Sequence, residues 1–184
     1  MTRAIPTHPL VDYVASLDRA GLATLRRSLS FPPGSWPPAF PIVEPFVASA
    51  PPGRRTVAYL VAGLMAWSRG TQPGDGDMGA ACARLRNASD SGSVERRFLD
   101  LLDADRDALP HRLRQMVALM ASNGIAPSWS ELMRDLAAWD HPDRYVQQRW
   151  ARSYYRSDAE TEDDEAAPAD ATATETPAAP APDA

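Results

Sequence analysis

Apolar residues in this chain recur at three- and four-residue spacing. No window of four to eight residues shows convincing strand alternation. Leu109, Leu113, Met116, Val117 and Met120 make one stripe, and Val57, Leu60, Val61 and Leu64 make another. A period near 3.6 puts such residues on one side of a helix, whereas a half-buried strand needs a period of two. The chain is thereby committed to helices packed on helices.

Punctuation divides the stripes. Leu10, Val14 and Leu17 lie on one face, residues 18–21 interrupt, and Leu22, Leu25 and Leu29 resume, so two short helices meet near Gly21. Between residues 31 and 53 stand Pro32, Pro33, Pro37, Pro38, Pro41, Pro45, Pro51 and Pro52. Proline removes a backbone donor and clashes with the preceding turn, which predicts an extended connection with at most one helical turn at residues 43–47. A helix over 54–69 follows, then a loop at 70–79 and helices at 78–85 and 94–102 around a turn at 87–93. The next helix carries Leu109 to Met120, opens with Pro110 and stops at Asn123-Gly124. Ser128 and Glu131 have the spacing of a capping box, in which each side chain satisfies the other's backbone N–H. Behind them Trp129, Leu132, Met133, Leu136 and Trp139 form an apolar stripe. A last helix, opening at His141-Pro142, carries Val146, Trp150 and Tyr154. The expected fold is all-α, with about seven or eight helices in a compact body of two small helical subdomains.

Composition changes abruptly at Asp158. From there to Ala184 the chain is almost wholly Ala, Pro, Thr, Asp and Glu, with no large apolar residue. Such a segment cannot bury enough surface to offset the entropy of ordering it, so residues 158–184 are expected to form a disordered acidic tail. Residues 1–157 form the body, enough to bury about 70% of their unfolded-chain surface. The tail holds nine acids and no base, which leaves 15 acids against 19 bases in the body, a net of +4 where the whole chain is −5. Two roles suit the tail, solubility or competition with a polyanion for the basic body.

All 19 basic residues are arginine. GC-rich codon usage accounts for most of that bias. Even so, each guanidinium offers a planar fork that holds phosphate oxygens bidentately. Cys82 is the only cysteine, which excludes an intrachain disulfide and makes a reducing cytoplasm the expected setting. The N-terminal ten residues lack the apolar run of a signal peptide, and no stretch reaches the roughly 20 apolar residues of a bilayer span. Neither a membrane nor a cofactor is expected.

Catalytic chemistry is poorly supported. His8, His111 and His141 sit in a proline-flanked arm or at helix starts, where surface and capping roles are the expectation. Cys82 lies on a small-residue helix face and reads as a packed thiol. Asp75-Gly76-Asp77 lacks the ligand series and closing glutamate of a calcium loop. Asp103, Asp105 and Asp107 precede a helix, where acids favour its dipole. Trp129, Trp139 and Trp150 read as core. A metal-dependent hydrolase built on these aspartates has no ligand spacing behind it. The arginines, by contrast, recur on the polar side of nearly every helix, where phosphate binding competes with a merely solvated, locally ion-paired face.

The order of motifs adds a resemblance. Leu25-Arg26-Arg27 is followed by Pro45-Phe46, then by the apolar helix at residues 59–64 and by Met78-Gly79-Ala80-Ala81. Glu95-Arg96-Arg97-Phe98, Leu113-Arg114, Asp135-Leu136-Ala137-Ala138-Trp139 and the stretch from Val146 to Tyr155 come after. The series resembles the small subunit of the type I-E CRISPR surveillance complex Cascade, the CasB family, from about Val11 to Tyr155. The resemblance implies a helical, non-enzymatic subunit that steadies the heteroduplex of guide RNA and target DNA and helps hold the displaced strand. It implies as partners the other Cascade subunits, a second copy of the chain, guide RNA and both DNA strands. That work needs backbone neutralisation without base readout. The positions it singles out are Arg27, Arg54 or Arg55, Arg97 and Arg114, with Arg26, Arg134 and Arg144 behind them. The competing reading is a helical protein–protein scaffold whose arginines pair with neighbouring subunits.

Overall fold

The computed structural model describes residues 8–69, 71–89 and 92–165. Nine α-helices are present among them: α1 (Pro9–Ser16), α2 (Arg19–Ser28), α3 (Phe40–Val47), α4 (Pro52–Trp67), α5 (Met78–Ser89), α6 (Ser93–Leu102), α7 (Leu109–Ser122), α8 (Trp129–Ala137) and α9 (Tyr145–Glu165). The all-α expectation holds. Residues 166–184 of the expected tail lie outside the described residues, and α9 continues across the Asp158 boundary to Glu165.

Helix α4 is the hub. Val57 to Leu64 are all buried in it, and α1, α2, α3, α7 and α8 pack around it. Its contact with α2 is close because Gly63 presents no side chain there: a Cβ would lie 2.7 Å from Leu29 Cδ2. A second group forms where α5 packs on α9, α6 and α7. There a Cβ on Gly79 would overlap the Trp150 carbonyl, so only glycine lets these two backbones meet. Both groups share one continuous apolar core. Trp150, Tyr154 and Phe98 are its largest fully buried side chains, and Trp129 and Trp139 are buried with them.

Four local expectations need correction. The proline-rich link contains a 3-10 turn (Pro37–Ala39) and a full two-turn helix, α3. Pro41 sits in the first turn of α3, where no N–H is needed, and Pro45 forfeits only the bond to residue 41. Val43 and Val47 bury that helix against the core. Secondly, the capping box does not form. Ser128 occupies the N-cap without a side-chain bond, while Glu131 turns to Arg134 at 3.4 Å. Thirdly, β1 (Gln72–Pro73) and β2 (Ile125–Ala126) pair in parallel, an element too short to show any alternation. Lastly, α9 begins at Tyr145 because residues 141–144 form a turn, with Arg144 in the left-handed region at φ 48°.

Candidate nucleic-acid interface

Partner choice separates the arginines into two populations. In the first, the guanidinium has a partner within the molecule. Arg55 donates to Glu44 at 2.6 Å, and Tyr59 donates to the same carboxylate oxygen at 2.7 Å. Together they hold the Glu44 carboxyl below the usual range, through the Arg55 hydrogen bond first and the Tyr59 bond second. Arg114 donates to the Leu29 carbonyl, tying α7 to the end of α2. Arg144 donates to the Leu102 carbonyl at 2.6 Å, and Arg106 to Asp140 at 2.7 Å. Arg84 donates to the Asp75 carbonyl at 2.8 Å, and Arg86 lies 4.5 Å over the Tyr154 ring.

The densest of these sites joins α5, α8 and α9. Arg149 sits against Asp135 and 3.5 Å from Asp77, both buried. Trp150 Nε1 donates to Asp135 at 2.7 Å, and Ser153 Oγ donates to Asp77 at 2.9 Å. Asp77 also accepts from the Ala80 N–H in the first turn of α5 at 3.1 Å. Burial alone would make Arg149 easier to deprotonate. The hydrogen bond to Asp135 and the charges of Asp135, Asp77 and Glu131 outweigh it and fix the cation. Glu131, half-buried beside two carboxylates, is pushed up, by burial first and by Asp135 and Asp77 against the pull of Arg134. Asp77 of the doubtful calcium loop therefore serves a structural ion-pair network, while Asp75 contributes its backbone carbonyl to Arg84.

The second population is exposed and makes no hydrogen bond or ion pair among the described residues: Arg19, Arg26, Arg27, Arg54, Arg69, Arg96, Arg97 and Arg156. Arg27 alone has an aromatic neighbour, its guanidinium carbon 5.5 Å from the Trp36 ring centroid. Of the positions singled out from sequence, Arg26, Arg27, Arg54 and Arg97 fall in this population. Arg55, Arg114, Arg134 and Arg144 fall in the first. Arg134, though exposed, faces Glu131. The choice between Arg54 and Arg55 is a matter of helix face: consecutive residues point about 100° apart, so Arg55 meets Glu44 of α3 while Arg54 lines an open groove with Met133, Tyr145 and Arg134. Arg19, Arg69, Arg96 and Arg156 are open cations that motif order did not select. For Arg19, Arg96 and Arg156 the signal in the sequence was distance from the apolar stripe of their own helix; Arg69 stands in the turn after α4.

The remaining candidates are absorbed by the fold. His8 caps α1 by accepting from the Leu10 N–H at 3.2 Å, and its own N–H donates to Ser130 Oγ at 3.0 Å. His141 Nδ1 accepts from the Asp143 N–H at 3.3 Å. Cys82 is fully buried, and burial pushes its thiol far up, which removes thiolate character. Asp105 accepts from the Ala108 N–H at 2.8 Å, just ahead of α7. Among the described residues no helix is long and apolar enough to cross a membrane.

Helices around a buried α4, with exposed guanidinium groups that have no partner among the described residues, define a helical, arginine-studded protein. Comparison with known proteins narrows the class. Residues 21–155 match the family model of CRISPR-associated protein Cse2. A CRISPR-associated protein Cse2 from Thermus thermophilus is 47% identical over 148 residues, covering 78% of this chain and 83% of its own. The crystal structure of M. ruber CasB superposes with a TM-score of 0.73 at 40% identity, over 84% of this chain and 94% of that one. A chain of a CRISPR RNA-guided surveillance complex superposes with a TM-score of 0.74 at 26% identity, over 86% of this chain and 95% of that one. The chain belongs to the CRISPR-associated protein Cse2 family.

Proposed function

We propose that this chain is the small subunit of a Cascade-type, RNA-guided surveillance complex in antiviral defence. In this role it is a non-catalytic component that steadies the guide RNA–target DNA heteroduplex and the displaced strand by sequence-independent arginine–phosphate contacts. Its partners are the other Cascade subunits, a second copy of itself, the guide RNA and both DNA strands. The carrying observation is the division of the arginines. Arg26, Arg27, Arg54, Arg96 and Arg97 are exposed with no acceptor among the described residues, which leaves their donors to water until an anion arrives. Exchanging that water and the counterions of a polyanion for direct pairing is the entropic source of non-specific nucleic-acid affinity. Arg55, Arg114 and Arg144 tie together the frame that presents them.

The test is binding of labelled single-stranded DNA by the full chain across a salt series. Affinity is expected at low salt, with a log–log slope that grows by about 0.7 per neutralised phosphate. No binding at low salt would remove the reading. The scaffold alternative draws support from Trp67 and Leu99, which are 56% and 47% exposed. Large apolar side chains left this open suit contact with another subunit. The two readings separate on salt dependence: assembly that proceeds with salt-insensitive nucleic-acid behaviour favours the scaffold.

A further inference from the structure

The loop between α2 and the 3-10 turn carries an aromatic feature that phosphate binding does not use. Phe31 and Trp36 stack with centroids 4.4 Å apart and planes 14° from parallel. Trp36 also packs on the core, so the pair is anchored from beneath. Its indole N–H is buried without a hydrogen-bond partner; ring packing, not a polar bond, sets its position. Phe31 is 38% exposed although one face is covered by Trp36. The exposure therefore belongs to its free face and edge.

The loop is rigid. The Phe31 N–H donates to the Ser28 carbonyl at 3.1 Å, and the Ser35 N–H and Oγ both donate to the Pro32 carbonyl, at 3.0 and 2.7 Å. Pro32 and Pro33 restrict the backbone, and Gly34 turns it at φ 84°, where an added Cβ would lie 3.3 Å from the Tyr59 ring. Phe31 also forms one wall of a cleft of about 510 Å³. Val57 and Leu60 of α4 and Leu109 of α7 also line it, together with the polar side chains of Asp107, His111 and Arg114. Arg26 and Arg27, both uncommitted to any carboxylate, lie one turn back on α2.

We infer that Phe31 is a stacking platform for an unpaired base of a single-stranded nucleic acid, with the cleft receiving the base and Arg26 and Arg27 taking the flanking phosphates. An exposed phenyl face beside the cleft gives up water when a base covers it. Guanidinium groups within reach supply the backbone contacts that a lone apolar pocket lacks. Every base has a π-face, so the site selects single strands over duplexes without selecting sequence. The inference rests on the arginine–phosphate reading proposed above and adds a contact to the base itself.

The experiment compares binding of the full chain to a labelled oligodeoxythymidylate and to an abasic strand of the same length, across one salt series. Stacking predicts tighter binding of the base-bearing strand by about five- to tenfold. Phe31→Leu keeps the apolar volume and should bring the two affinities together without altering the salt slope, while Phe31→Tyr should keep them apart. Equal affinity of the wild-type chain for both strands would overturn the platform and leave phosphate binding standing. Failure to bind either strand would overturn the phosphate reading and the platform with it. The wild-type comparison needs no variant, so instability of Phe31→Leu would not blunt the test.

Discussion

At the junction of α5, α8 and α9, Arg149 meets two buried aspartates and an indole N–H shares one of them. Along the outer faces of α2 and α6, Arg26, Arg27, Arg96 and Arg97 meet no acid among the described residues. The same side chain does opposite work in the two regions. At the junction the arginine is held by two buried carboxylates, and removing it strands them in a poorly solvated place. On the outer faces the donors remain hydrated and ready to exchange. Abundance of arginine therefore says little about binding; the presence or absence of a resident acceptor decides which arginines remain for a ligand.

The junction should break most visibly. Asp135→Ala removes the acceptor of both Arg149 and Trp150 Nε1, and a loss of about 3 kcal/mol is expected. That corresponds to a fall in Tm of roughly 8 °C for a chain of this size, read by thermal unfolding. Gly79→Ala in the same region places a Cβ against the Trp150 carbonyl. Separation of α5 from α9 should cost about 2–3 kcal/mol, measured by chemical denaturation, with no change expected in a Gly53→Ala control whose Cβ meets nothing within 4 Å.

The outer faces should respond in affinity and not in stability. Replacing Arg27, Arg54 and Arg97 together by Ala is expected to leave Tm nearly unchanged and to lower the salt slope of single-strand binding by about 2, at roughly 0.7 per phosphate. A sharper version uses neighbours on one helix. Arg54→Ala should weaken binding and spare stability, while Arg55→Ala should do the reverse, because only Arg55 has a resident acceptor in Glu44. Equal effects of the two on affinity would dissolve the distinction between the regions.

The smallest effects concern pH and have opposite signs. Glu44 is held below the usual carboxylate range in the fold, so its contribution is present above the unfolded value and is lost as pH falls toward the folded one. Glu131 is held above that range. The native state then binds the extra proton, and stability falls as pH rises through the window between the unfolded and folded values. Glu131→Gln should flatten that fall and leave neutral Tm equal or higher; Glu44→Gln should lower neutral Tm and flatten the acid side. Thermal melts across pH 3–7 (about the carboxylate range) separate the two.

Much of this was legible in the residues. The stripes of α4, α7, α8 and α9 announced their helices because core packing repeats every 3.6 residues, and the buried Trp129, Trp139 and Trp150 continue the last two. Helix α3 was hidden because proline is scored as a breaker, whereas Pro41 and Pro45 stand where together they forfeit little. The β1–β2 pairing was invisible because two residues a side carry no period.

For the arginines, the residues alone determined how many cations the body carries and that most sit off the apolar stripe of their helix. They could not determine which of them remain unpaired. Arg114 and Leu29 are 85 positions apart, and Arg144 and Leu102 are 42 apart. An acceptor brought in across such distances belongs to the packing of helices and leaves no mark in local sequence. The tertiary structure alone distinguished Arg54 from Arg55, and it did so physically, by setting Glu44 of α3 against one face of α4 and leaving the next open to solvent.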